Sequence, residues 1–261
     1  MKRIKKYYRI VFELTSPLSV GSGENNATDR DILRDGRGVP YIPGTALAGV
    51  YRSLFSEKTA KEYFGPELTE EKIRDPFLKG KNILKDSAVV TYDAYITDPG
   101  ESLVTKRDMV ALDEYKAAVK GAKFDFQILE PDVTFVTYIE QNMDNKDQQY
   151  VLDEIAAAWM KGKITAGAKT ARGYGHTKGI TAASAMFDLT EEDQLEKWLQ
   201  FEMYDPDDPN WTAVGNSDGS LVCLGDLTSG DGKYAEIKAA YDRWKISLAE
   251  EEKCRVILEL R

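Results

Sequence analysis

Residues 28–49 read TDRDILRDGRGVPYIPGTALAG, and nine positions of this stretch hold Asp29, Arg30, Asp31, Arg34, Asp35 and Arg37. A rigid apolar Tyr41-Ile42-Pro43-Gly44 follows. From Thr45, Leu47, Val50, Tyr51, Leu54 and Phe55 recur at helical spacing. A helix opening at Gly44-Thr45 presents unpaired N–H groups and the positive end of its dipole, which suits an anion. Arg52 lies two turns further in. Two readings follow. The knot is a solvated turn whose ion pairs are worth little, with an ordinary capped helix behind it, or it is acid chemistry placed beside an anion site.

A second stretch, GAKTARGYGHTKG (167–179), raises the same question. Gly167, Gly173 and Gly175 allow backbone amides to approach a phosphodiester. Lys169 and Arg172 supply charge, and Tyr174 can stack on a base. The same glycines also suit a tight connection between elements. His176, the only histidine, follows directly and meets either phosphate or solvent. A third stretch, residues 103–129, has alternating flanks and a charged middle, as expected of a long hairpin. Lys106, Arg107, Met109, Val110 and Leu112 place apolar side chains among cations, a composition that can wedge between bases or pack on a neighbouring subunit. No P-loop or Rossmann spacing is present.

The elements that must position these residues follow from pattern. YRIVFEL (8–14), AVVTYDAYI (88–96), VTFVTYI (133–139) and 183–189 are expected strands. VLDEIAAAWM (151–160) is an amphipathic helix with Leu152, Ile155, Ala156 and Trp159 on one face. Residues 57–86 read as a polar, irregular or helical insertion. The order β-α-β-(hairpin)-β-α-β is that of an α+β, ferredoxin-like (RRM-like) βαββαβ core over residues 1–189. Residues 190–261 read as an acidic, partly helical extension, a partner-docking region or the start of a further module. It comprises a helix capped by Thr190, a Pro/Asp/Asn/Gly loop, a helix near 235–248 and a final β-like CRVILEL.

The chain has 261 residues, 42% hydrophobic and 30% charged, which fits a soluble globular protein with a sizeable core. No apolar run approaches the roughly 18 residues of a membrane span. The basic N-terminus alternates like a strand rather than a secretion signal. Cys223 and Cys254 lie far apart without metal-ligand spacing, so a reduced, cytoplasmic protein without structural zinc is expected. The net charge of −9 argues against a nucleic-acid partner until it is mapped. Residues 1–180 hold 27 Lys+Arg and 26 Asp+Glu, whereas residues 181–261 hold 8 and 18. The acidity belongs to the last third, and the first two thirds can carry a local basic face.

Three stretches together resemble the RAMP superfamily of CRISPR proteins, in particular the backbone subunits of type III effector complexes. They are SPLSVGSG (16–23), DRDILRDGRGVPYIPGTALAGVYRSLF (29–55) and GAKTARGYG (167–175), and the arm resembles that family's thumb hairpin. The likeness runs over residues 6–189. It implies a guide (CRISPR) RNA-binding subunit that meets complementary target RNA and other effector subunits. It also implies RNA contacts at Gly44, Thr45, Arg52, Lys106, Arg107, Met109, Lys169, Arg172, Gly173, Tyr174, Gly175 and His176. Family members that cut target RNA use an aspartate in the loop before YIPG. Aligning ILRDGRGVPYIPG puts Asp29 there, with Asp31 in reserve and Asp35 structural. The implied cofactor is a divalent cation, Mg2+, held at Asp29 with RNA oxygens and water completing its shell. The resemblance leaves two alternatives: a non-catalytic structural subunit, or a metal-independent guide-processing endonuclease using His176. This sequence departs from the family in having Ala48 where a phosphate-binding lysine is expected, and in its acidic C-terminal extension.

Overall fold

The structure, a computed structural model, describes residues 3–21, 31–66, 86–98, 100, 103–217 and 220–243. Asp29, Trp244, Cys254, the CRVILEL segment and most of the 57–86 insertion lie outside the described residues. The protein is α+β, built on an antiparallel sheet. Strand β1 (Ile4–Leu14) is central, paired along its length with β7 (Val133–Met143) on one side and β8 (Thr177–Asp188) on the other. Beyond β7 lie the short strands β3 (Val89–Thr91) and β4 (Ala94–Ile96), with β2 (Tyr41–Ile42) outside β4. Strands β5 (Val104–Leu112) and β6 (Ala118–Leu129) form a separate two-stranded hairpin.

Period-2 alternation explains the first core. Tyr8, Ile10, Phe12 and Leu14 of β1 point to one face with Phe135 and Ile139 of β7. Leu47 and Tyr51 of helix α1 (Gly44–Ser53) and Leu152, Ile155 and Trp159 of helix α3 (Tyr150–Met160) join the same core. A short helix α2 (Glu57–Tyr63) opens the insertion. At the centre the Trp159 ring packs 4.1 Å from Phe12, and its Nε1–H donates to the Tyr51 hydroxyl at 3.0 Å. Both residues are fully buried. Tyr51→Phe therefore orphans a buried indole N–H, and stability should fall by about 1–3 kcal/mol, read as a lower urea midpoint at unchanged slope.

The sequence pattern predicts one strand over 88–96, but two form. Thr91 pairs with Ile139 and Tyr95 with Val136, so one extra residue is accommodated between them, as in a β-bulge. The bulge turns Asp93 toward helix α1, where its Oδ1 accepts the Gly44 N–H at 2.6 Å.

The largest departure lies beyond residue 189. The stretch expected as a loop contains β9 (Thr212–Ser217), which pairs with β8, and β10 (Ser220–Cys223), which pairs with β9. Helices α4 (Glu192–Gln200) and α5 (Gly232–Arg243) flank them. Together these residues cover the second face of the sheet. Trp211, Ala213 and Tyr241 bury Tyr7, Val11, Val136, Tyr138, Ala183, Ala185 and Phe187. Strand β1 is thus buried on both faces: Tyr7 and Val11 lie in the second core, and Arg9, on the same face, is 1% exposed. Thr190 does not cap α4. Glu191 occupies the cap, and the Thr190 hydroxyl and amide both donate to Asp188 Oδ1, holding that carboxyl below its usual range.

Candidate nucleic-acid interface

Three segments that are distant in sequence meet where β1 ends. The first is the turn after β1: the Leu18 N–H donates to the Leu129 carbonyl at 2.8 Å, and the Leu129 N–H returns a bond to Leu18 at 2.9 Å. This ties the base of the β5–β6 hairpin to the sheet. The second is the glycine-rich loop. Ala168 N donates to Ser19 O at 2.7 Å, Gly175 N to Pro17 O at 2.8 Å, and His176 N to Ser16 Oγ at 2.8 Å. The third is the aspartate segment. Leu33 N donates to Val20 O at 2.7 Å, and Ile32 N to Gln127 Oε1 of the hairpin at 3.4 Å.

The loop takes its shape from left-handed residues: Lys169 at φ 65°, Gly167 at 78°, Gly173 at 82° and Gly175 at 73°. The glycines serve different ends. A Cβ at Gly175 would stand 1.8 Å from the Ala166 carbonyl oxygen, and one at Gly167 would stand 2.5 Å from the Ser19 oxygen, so both are demanded by backbone packing. At Gly173 a Cβ would meet nothing within 4 Å, so this stretch of backbone faces open space.

The loop lies against the hairpin. Lys169 Nζ sits 2.9 Å from the centre of the Phe126 ring, and the Tyr174 ring is 6.2 Å from Phe126. Arg172 Nη1 reaches Met109 Sδ at 3.6 Å. Arg107 lies over Tyr174 at 6.0 Å, donates to its hydroxyl at 3.4 Å and contacts both Glu130 oxygens at 3.2 Å. Desolvation opposes the Arg107 charge, but Glu130 and Tyr174 outweigh it and raise the guanidinium above its ordinary pKa. Thus Arg107, Met109, Lys169, Arg172 and Tyr174, drawn from two segments some 60 residues apart, form one patch. Lys106 pairs with Asp125 and Lys123 with Asp108 across the hairpin. Exposed pairs of this kind are worth at most about 1 kcal/mol, so a phosphate can compete for these lysines at small cost.

The helix α1 terminus differs from its sequence expectation. Gly44 is buried, its N–H is taken by Asp93, and a Cβ there would stand 2.4 Å from Thr91 O. The first amide therefore serves a carboxylate of the chain itself. Thr45 is exposed beside it. Arg52 Nη1 donates to the carbonyls of Ala60 at 3.2 Å and Gly65 at 2.7 Å, binding α1 to the end of α2. Asp35 shapes its turn: with its side chain 2% exposed, Oδ1 accepts from the N–H groups of Arg37 and Val39. Asp31 is half-buried beside Ile32 at the hairpin base. Among the described residues no three His, Cys, Asp or Glu side chains come together as a metal site. Asp29, the residue to which the resemblance assigns a cation, lies outside the described residues.

Residues 11–178 match the family model of the RAMP superfamily. The chain belongs to the RAMP superfamily. The matched span takes in the turn after β1, the aspartate segment, the hairpin and the glycine-rich loop. No curated protein matches the sequence. Among solved structures, a chain of "Cryo-EM structure of the Type III-B Cmr-beta bound to cognate target RNA" matches with TM-score 0.51 and 19% identity, over 69% of this chain and 60% of that one. At that identity the likeness shows the fold. This RAMP chain spans 60% of that chain's length.

The candidate interface contains residues that pattern reading misses. Glu130 and Phe126 hold Arg107, Tyr174 and Lys169, Gln127 holds the aspartate segment, and Asp93 takes the first α1 amide. Phe126 has a signal in the alternation of FDFQIL. Glu130, Gln127 and Asp93 are polar residues at strand ends, and only the three-dimensional pairing identifies them.

Proposed function

We propose that this chain is a guide-RNA-binding backbone subunit of a type III CRISPR effector ribonucleoprotein, working in the cytoplasm with other effector subunits. In this reading, β8-β1-β7-β4 with helices α1 and α3 is a ferredoxin-like core, the β5–β6 hairpin is the family's thumb, and residues from 190 onward are an added C-terminal extension. The observation that carries the proposal is the convergence of the hairpin base and the glycine-rich loop into one patch of Arg107, Arg172 and Tyr174, beneath which the Lys169 ammonium is buried against Phe126. Exposed guanidinium groups, Arg172 on the glycine-bearing loop and Arg107 beside it, suit a phosphodiester backbone, and the aromatic ring suits a base. No helix of the described residues is long and apolar enough to cross a membrane.

RNA affinity measured against salt concentration tests the reading. Arg107→Ala and Arg172→Ala should each weaken binding of guide RNA regardless of sequence. Each should also flatten the dependence of log K on log salt by about one phosphate contact. Unchanged affinity and slope in both variants would refute it.

Cleavage of target RNA beside Asp29 belongs to the same proposal. Its support is the resemblance of ILRDGRGVPYIPG to the cutting members' loop, together with the packing of the 31–33 segment on the hairpin base. A divalent cation bound there would polarise the scissile phosphate.

A further inference from the structure

The second face of the sheet is covered over most of its width. Trp211, Phe201 and Tyr204 lie across it, with Tyr204 edge-on to Tyr138 at 5.0 Å and to Tyr92 at 6.3 Å. At the β4–β2 edge the same face holds two half-exposed tyrosines. Tyr95 lies on this face because its register partner Val136 belongs to the second core, whereas Ala94 and Ile96 belong to the first. Tyr41 stands opposite Tyr95 in the ladder, and its neighbour Ile42 is buried in the first core. The two rings stack at 5.8 Å with their planes 18° apart.

This pair is held in place. The Tyr95 hydroxyl donates to Asp93 Oδ2 at 3.2 Å, and Asp93 Oδ1 is fixed by the Gly44 amide. The chain enters β2 from the Asp35 turn, where Arg34 bridges Pro40, the residue before Tyr41. Arg34 is exposed and steadied by its bond to the Gly38 carbonyl at 2.8 Å, and the Arg37 side chain is 41% exposed. The edge therefore offers flat π faces with two guanidinium groups on the adjoining turn. Aromatic faces flanked by cations fit a nucleotide, whose base stacks while its phosphates meet the charge.

We propose that Tyr41 and Tyr95 form a stacking platform for an unpaired RNA nucleotide, with Arg34 and Arg37 serving its phosphates. The platform rests on the RNA-binding reading above but is separate from the hairpin–loop patch. Residues 32–41 connect the two, running from Gln127 at the hairpin base to the sheet edge. A single strand leaving the patch along this segment reaches the tyrosines.

The test uses the full chain and a fluorescein-labelled single-stranded RNA. Replacing both rings, Tyr41→Leu with Tyr95→Leu, should raise Kd at least about tenfold, the loss expected for base–aromatic stacking. The salt slope should stay that of wild type, because no phosphate contact is removed. Tyr41→Phe with Tyr95→Phe keeps both faces and should bind as wild type. Tyr41→Trp, which preserves the stack, should add an indole emission that unlabelled RNA quenches, and it decides the matter if the leucine variant does not fold. Wild-type affinity in a folded leucine variant, or an added indole emission that RNA leaves unquenched, overturns the platform while leaving the hairpin–loop patch intact. A wild-type chain that binds no RNA overturns both.

Discussion

Gly175→Ala should cost about 3 kcal/mol or more of folding stability, while Gly173→Ala, two residues earlier, should cost about 1–2 kcal/mol. Both glycines are left-handed, at φ 73° and 82°, so both substitutions carry the steric penalty of that region, about 1–2 kcal/mol. Their surroundings separate them. At Gly173 the added methyl enters open space. At Gly175 it would stand 1.8 Å from the Ala166 carbonyl oxygen and 2.9 Å from its carbon, both backbone atoms that cannot swing aside. The loop backbone must move, and two hydrogen bonds go with it: Gly175 N to Pro17 O and Ala166 N to Gly175 O, each 2.8 Å. At about 0.5–1.5 kcal/mol net apiece, these add to the conformational penalty. Urea unfolding followed by circular dichroism should show the two midpoints well separated. Equal losses would mean that φ alone governs the loop, and that its contact with the β1 turn contributes nothing.

The same loop shows how far pattern carries. Glycine spacing marks a special backbone at 167, 173 and 175, but the letters do not distinguish a glycine demanded by a carbonyl at 1.8 Å from one facing open space. The helices over 44–53 and 150–160 and the hairpin over 104–129 are legible because each has a single buried stripe or a clean alternation. Strand β1 is legible as a strand, yet Tyr7 and Val11 on its second face are the trace of a second core that only residues 198–241 explain. Strands β9 and β10, TAVGNS and SLVC, escape reading because they are short, rich in Gly, Ser and Asn, and stabilised by pairing with β8 and by Trp211 rather than by local propensity. Arg52 reads from sequence as an RNA contact behind the α1 terminus or as a solvated cation. Its bonds to Ala60 and Gly65 depend on where α2 ends, which no periodicity reveals.

Asp29→Ala should reduce cleavage of bound target RNA to below about one-thousandth of wild type, about 4 kcal/mol of transition-state stabilisation. Guide and target affinity should remain as they were. The dissociation of the two effects is the informative part. A carboxylate repels a phosphate rather than binding it, so removing Asp29 takes none of the proposed cation–phosphate contacts away. Asp31→Ala is the necessary companion, since Asp31 adjoins Ile32, whose amide is bonded to Gln127, and its loss should affect rate less than the loss of Asp29. Asp35→Ala should behave differently again, because its carboxylate organises the turn through Arg37 and Val39 and its removal should lower stability rather than rate alone. His176→Ala separates metal-dependent from metal-independent chemistry. The imidazole is exposed, while the backbone of His176 is held by Ser16 and Thr15, so the substitution removes a potential general base without loosening the loop. Cutting that persists in EDTA and disappears in His176→Ala would transfer catalysis to the histidine. Cutting that requires Mg2+ and survives His176→Ala but not Asp29→Ala would place it in the aspartate segment. An assembled complex that leaves its target intact in every variant and in wild type would make this chain a scaffold, with the hairpin and the glycine-rich loop serving only to hold RNA.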